Sequence, residues 1–256
     1  MAEAAADVAY SSSTGAEGHR VWVRICHWTL ALAVLVLAVT GFIILMVQPR
    51  LYWGEVGNDL TPALIELPIS GNHRPEGWER TAVFASGPDA PVSANRTYAI
   101  FNQNGWGRSL HFLAAWIFVV TLAGYAFSSL LSGHLRKLLP RLRDLAPRSL
   151  AADLTNHLRG TLANAGGGPP YGLLQRCAYS AVLFVVLPLM VLTGLAMAPA
   201  VTAAYPLLLD LFGGYQSART VHFFGFTALV LFLITHIAMV GITGFRRQLR
   251  AMVLGR

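Results

Sequence analysis

The stretch ARTVHFFGFTALVLFLITHIAMVGITGF, residues 218–245, decides the fold. At ~1.5 Å of rise per residue it is long enough to cross a ~30 Å hydrocarbon core as one helix. Two histidines interrupt its apolar run, His222 and His236, fourteen residues apart. At ~100° per residue the second imidazole returns to within ~40° of the first, ~21 Å further along the axis. One face of one helix therefore presents two imidazoles, one towards each side of a membrane.

The rest of the chain fits this setting. Of its 256 residues 55% are hydrophobic and 12% charged. The charged share is about half that of an ordinary soluble domain, where it is ~25%. Three more apolar runs follow the same pattern, giving expected spans at about 26–47, 109–131, 177–198 and 221–245. The expected architecture is an all-α integral membrane protein, one domain over residues 1–256, built as a bundle of four transmembrane helices. Pro188 inside the third span predicts a kink, which membrane helices tolerate. The apolar segment VTAAYPLLLDLF, 201–212, is too short to cross and is expected to lie at the interface. Residues 1–18 carry no basic segment followed by a short apolar core, so no signal peptide is read there.

The net charge of +7 does not call for a nucleic-acid partner. With the N-terminus inside, the inner segments hold thirteen of nineteen basic residues and five acids, and the outer segments six basic residues and seven acids. This is a positive-inside pattern with both termini cytoplasmic. The connection 48–107 then lies on the outer side and 132–176 on the cytoplasmic side. The outer connection carries Tyr52, Trp53, Trp78 and Trp106, and is read as a docking surface for a partner rather than an idle loop. The exit of the second span, SGHLRKLLPRLRDLAPRS, is basic and amphipathic in places, which suits a helix on anionic lipid. Cys26 and Cys177 fall on the cytoplasmic side, where thiols stay reduced, and no C-x-x-C-H motif marks covalently attached haem.

Depth in the membrane sorts the histidines. His111 and His222 each lie three residues inside a span on the outer side; His27 opens the first span on the inner side, and His236 lies in the inner half of the last. Two depth-matched pairs result, His111 with His222 and His27 with His236, the second needing some helix tilt. A lone interfacial histidine is ordinary, but His236 is deep, where a polar side chain has a specific partner. Imidazole is an axial ligand of haem iron, so the four histidines are candidate ligands of two haems. No Asp or Glu lies within a span, which weighs against a proton pump or ion transporter.

Arg24, Arg108 and Arg219 each precede a ligand candidate by three residues, which places both side chains on one helix face. They are candidates for the haem propionates, because a guanidinium pairs bidentately with carboxylate. Snorkelling to lipid headgroups is the plainer alternative. Gly41, Gly124 and Gly194 could admit a flat porphyrin, with small-residue helix packing the favoured alternative. A short internal echo runs through the chain: Thr40-Gly41 and Thr193-Gly194 in spans one and three, R-S-L-H-F and R-T-V-H-F opening spans two and four. It suggests two related hairpins.

The start R-I-C-H-W, the single histidine opening span two and the two histidines of span four resemble the four-helix di-haem cytochrome b subunits of hydrogenases, formate dehydrogenases and thiosulfate reductases. The resemblance runs over nearly all the chain from residue 19. QPRLYWGEVGN, GWGRSLHF and DLFGGYQSARTVHF look closest to the thiosulfate reductase cytochrome b branch. It implies b-type haems held by His27, His111, His222 and His236, a place in the bacterial inner membrane with the connection 48–107 periplasmic, quinone exchange near the cytoplasmic haem, and a periplasmic redox partner, often a molybdopterin oxidoreductase similar to sulfite oxidases. Quinone-site candidates are Arg24, His134 and His236, although a solvated His134 is the plainer reading. On this reading the chain does little bond chemistry itself and serves as the electron-transfer subunit of an oxidoreductase. The rivals are a stand-alone quinone oxidoreductase acting on a small oxidant at the periplasmic face, and a haem-free anchor or transporter.

Overall fold

The computed structural model describes residues 20–57, 61–69, 104–132, 139–140, 145–158, 173–242 and 244–255. Four long helices dominate: α1 (Val21–Val47), α2 (Asn104–Leu131), α4 (Leu173–Ala196) and α7 (Tyr215–Ile242). Each is long and apolar enough to cross a membrane. They begin four to six residues before the expected spans, because the turns that carry Arg24, Arg108 and Arg219 are already helical. Shorter helices complete the described chain: α3 (Pro147–Leu158), α5 (Pro199–Ala204), α6 (Leu207–Phe212) and α8 (Phe245–Val253). α5 and α6 break up the apolar segment that was too short to span.

The helices pair as two hairpins. α1 packs along α2, and α7 packs along α4, while backbone approach between the hairpins is sparse. The buried residues of the described chain are few and mostly small, among them Ala33, Thr40, Ala114, Thr193, Ala196 and Ala218. Large apolar side chains instead point outward from every long helix, such as Leu32, Val120, Val185 and Leu231. Leucine and valine belong outside when the surrounding solvent is hydrocarbon, so this is a membrane protein. α7 and α4 fit tightly at Gly225, where a Cβ would meet the Met190 sulfur at 2.6 Å.

Inside α4, residues Val182–Val186 form a π-helical turn just before Pro188. Proline has no N–H to donate and its ring crowds the carbonyl four residues back. A wider turn at that point absorbs the mismatch. α8 is strongly amphipathic, with Arg246, Arg247 and Arg250 set among outward Phe245, Leu249 and Val253. The Trp28 indole N–H donates to the Met252 carbonyl at 3.1 Å, tying α8 to the start of α1.

At the opposite end of the bundle, β1 (Arg50–Leu51) and β2 (Ile65–Glu66) form a two-residue antiparallel ladder. An ion pair joins Arg50 Nε to Glu66 Oε1 at 3.0 Å. This end is called the ladder end below.

Candidate functional site

The first part of the connection after α1 is strapped onto the start of α7. The Gly54 carbonyl accepts from the backbone N–H groups of Gln216 and Ser217, at 3.0 and 3.2 Å. These belong to the first turn of a helix, which has no partners of its own. In return Ser217 Oγ accepts from the Gly54 N–H at 2.7 Å, and Thr220 Oγ1 donates to the Tyr52 carbonyl at 2.6 Å. α6 ends at Gly213, which is left-handed at φ 69°, and Gly214 follows at φ 112°. Leu51 and Tyr52 are buried by this strap, so Tyr52 is part of a cap and not of an exposed docking face. Trp53 and Trp106 remain exposed, and Trp78 lies outside the described residues.

Beneath the cap stand His111 of α2 and His222 of α7, ring centres 6.4 Å apart and planes at 65°. They border a cavity of about 600 Å³, together with Gly41, Gly194, Arg108 and Arg219. That volume is within the ~300–1,000 Å³ of small-molecule and cofactor pockets. Thr40 Oγ1 lies 2.9 Å from His111 Nδ1, and Thr193 Oγ1 lies 2.8 Å from His222 Nδ1. A Cβ on Gly41 or Gly194 would meet only these imidazoles, at 3.5 and 3.7 Å, and not a neighbouring helix backbone. Both glycines border the cavity, and each also faces the histidine of the helix packed beside its own, so cavity wall and helix packing meet at these positions. Gly124 meets nothing within 4 Å and does not border this cavity.

At the other end His27 of α1 and His236 of α7 have ring centres 6.3 Å apart and planes at 56°. Trp28 meets His27 edge-on at 5.5 Å, and Phe232 stacks on His236 at 6.0 Å with 20° between planes. Tyr179 packs edge-on against Phe232 from α4. Each pair thus draws one ring from the α1–α2 hairpin and one from α7.

The arginines differ. Arg219 donates to the backbone carbonyls of Gln48 and, at 3.0 Å, Arg50, so it braces the cap while bordering the cavity. Arg108 borders the same cavity from an exposed position. Arg24 Nε is buried without a hydrogen-bond partner among the described residues. His134 lies outside the described residues, as do His19 and His73; His157 falls on α3.

Two imidazoles on opposite sides of one ion need two metal–nitrogen bonds, ~2.0–2.1 Å each for zinc, plus the distance from each nitrogen to its ring centre. Ring centres 6.3 and 6.4 Å apart leave room for that. A zinc site would need three or four protein ligands. Among the described residues no group of three or more His, Cys, Asp or Glu side chains gathers. A donor set of two imidazoles suits a metal whose other ligands come from a macrocycle. At the ladder end the apolar cavity and its bordering glycines suit such a macrocycle, and at the other end Arg24 Nε, without a partner among the described residues, suits its carboxylates.

A four-helix membrane bundle with imidazoles paired across its seam defines the class, a membrane cytochrome b with an electron-transfer role. The chain belongs to the prokaryotic cytochrome b561 family, whose pattern it matches over residues 18–255. It is 30% identical over 240 residues to a protein of Azospira oryzae described as "Putative protein-methionine-sulfoxide reductase subunit YedZ1", covering 93% of this chain and 96% of that one. No solved structure matches the chain.

Proposed function

We propose that this chain is a di-haem b-type cytochrome subunit that passes electrons between a periplasmic oxidoreductase and the quinone pool. His111 and His222 hold one haem at the ladder end; His27 and His236 hold the other. The observation that carries this is the pairing of all four rings at one spacing, 6.3 and 6.4 Å, on the two faces of the seam between hairpins. Haem b bound at these positions supplies reversible one-electron chemistry.

The chain's own part is to hold, orient and insulate. α7 spaces the two sites by ~21 Å along its axis. Arg108 and Arg219 offer cations to the propionates at the ladder end, and Arg24 does so at the other. The strap of residues 49–57 closes the ladder end over its cavity and excludes water. The excess of basic residues in the connections at the other end supports a cytoplasmic position for that end and both termini, with the ladder end periplasmic. Quinone exchanges near Arg24 and His236, where α8 lies on the leaflet.

The partner is a periplasmic redox subunit of the molybdopterin, sulfite-oxidase-like type. Two likenesses support oxidised sulfur as its substrate: the resemblance to the thiosulfate reductase cytochrome b branch, and the relative described as "Putative protein-methionine-sulfoxide reductase subunit YedZ1". That relative spans nearly the whole chain, so protein-bound sulfoxide is placed ahead of thiosulfate. The test is affinity purification of the chain with its partner, followed by a reduced-minus-oxidised spectrum. A b-type absorbance and a co-purifying periplasmic subunit are expected. A chain that oxidises quinol with a small oxidant and no partner would replace this reading with the stand-alone enzyme.

A further inference from the structure

We propose that Thr40 and Thr193 are positioning residues for the iron at the ladder end. They fix both axial imidazoles as the Nδ1–H tautomer and thereby lower that iron's reduction potential. This rests on His111 and His222 being its ligands.

Each threonine hydroxyl has one proton, and in both cases that proton has a better destination than the histidine. Thr40 Oγ1 donates to the Val36 carbonyl at 2.7 Å, and Thr193 Oγ1 donates to the Leu189 carbonyl at 2.7 Å. What each oxygen then turns towards the ring is a lone pair, 2.9 Å from His111 Nδ1 and 2.8 Å from His222 Nδ1. The ring nitrogens facing these oxygens must be the donors. Nε2 is left unprotonated on both rings, free to bind metal.

Both threonines are sealed from solvent, Thr40 at 1% exposure and Thr193 at 0%, so no water competes for Nδ1–H; the Leu37 carbonyl beside His111 and the Met190 carbonyl beside His222 are acceptors too and favour the same tautomer. The arrangement occurs twice with different connections. Thr40 and His111 are 71 residues apart, whereas Thr193 and His222 are 29 apart. Each hairpin nonetheless supplies one hydroxyl and one imidazole to the same spot, with the following glycine, Gly41 or Gly194, on the cavity wall. The Thr-Gly echo in the sequence is therefore a ring-holding device, one per hairpin.

A hydrogen-bond acceptor at the far nitrogen makes an imidazole a stronger electron donor to its metal, and losing such a partner typically costs ~10–100-fold in metal affinity. Stronger donation favours ferric over ferrous iron. Two acceptors on one iron act in the same direction.

The test is potentiometric titration and low-temperature electron paramagnetic resonance of the purified full chain, with haem content measured alongside. The variants are Thr40→Val, Thr193→Val, the double variant, and Thr→Ser at each position. Valine keeps the shape and removes the acceptor. In each valine variant the ladder-end component should rise in potential, the other component should stay, and the ladder-end resonance signal should change. A tenfold loss of ferric over ferrous preference reads as ~59 mV for a one-electron couple. Serine should restore the wild-type value. Should valine cost the ladder-end haem outright, retention in the serine variant supports the proposal, and equal loss in serine overturns it. Unchanged potentials and signals in both valine variants with full haem content would also overturn it. His111→Ala and His222→Ala separate the two layers: haem content unchanged in those variants refutes the ligand assignment itself.

Discussion

Gly54 and Gly214 meet backbone to backbone, so closely that a Cβ on Gly214 would stand 2.6 Å from the carbonyl carbon and oxygen of Gly54. Gly214 also has φ 112°, a conformation other residues rarely adopt. Gly214→Ala should therefore fail on both counts. The backbone strain alone costs ~1–3 kcal/mol, and the strap must move off the first turn of α7. A lower melting temperature of the detergent-solubilised protein is expected, followed by the ladder-end haem signal. Gly105→Ala, where nothing lies within 4 Å, is the control and should leave melting unchanged.

Arg219 ties the cap to the cavity. Its guanidinium reaches the carbonyls of Gln48 and Arg50. Hydrogen bonds to charged groups contribute ~1.5–3 kcal/mol each. Arg219→Gln removes the charge and most of the fork, so the strap should loosen. Limited proteolysis of the 48–57 segment should speed up. Loss of a cation beside the cavity should also lower the ladder-end potential, opposite in sign to the threonine variants. Arg219→Lys restores the charge without the planar fork, so it should recover the potential and leave the strap loose.

The spans were legible in the sequence because lipid imposes a blunt requirement: some twenty apolar residues in a row. The pairing of His27 with His236 and of His111 with His222 was legible because depth along a helix is fixed by residue count. The strap was not. Its bonds join the main chain of Tyr52 and Gly54 to the first turns of α7, through backbone N–H groups and the short hydroxyls of Ser217 and Thr220, and such bonding leaves no distinctive residue-type signature across more than 160 residues of separation. The only trace was that QPRLYWGEVGN and DLFGGYQSARTVHF both stood out, and the structure lays one on the other. Thr40-Gly41 and Thr193-Gly194 were visible as an echo, but their hydroxyls acquire meaning only once α1 is set beside α2 and α4 beside α7.

Trp28 donates to the Met252 carbonyl across 224 residues and anchors α8. Trp28→Phe keeps the ring and removes the N–H. A neutral hydrogen bond contributes ~0.5–1.5 kcal/mol, so the loss should appear locally, as faster amide hydrogen exchange over Phe245–Val253. Haem content should not change. Exchange rates equal to wild type would show that α8 is held by lipid contact alone.

His236 sits in the apolar part of α7 with Phe232 stacked on its ring. His236→Ala should lose the haem shared with His27 and retain the one at the ladder end. Haem per chain should fall to half, and reduction by quinol should stop. A dithionite-reducible b-type absorbance should persist.

Haem stoichiometry on the purified chain tests the whole account most directly. The pyridine haemochrome assay against protein mass should give two haems b per polypeptide, both low-spin with two imidazole ligands. A chain purified intact under haem-replete conditions that carries none, or carries one that survives replacement of each of His27, His111, His222 and His236, would contradict it.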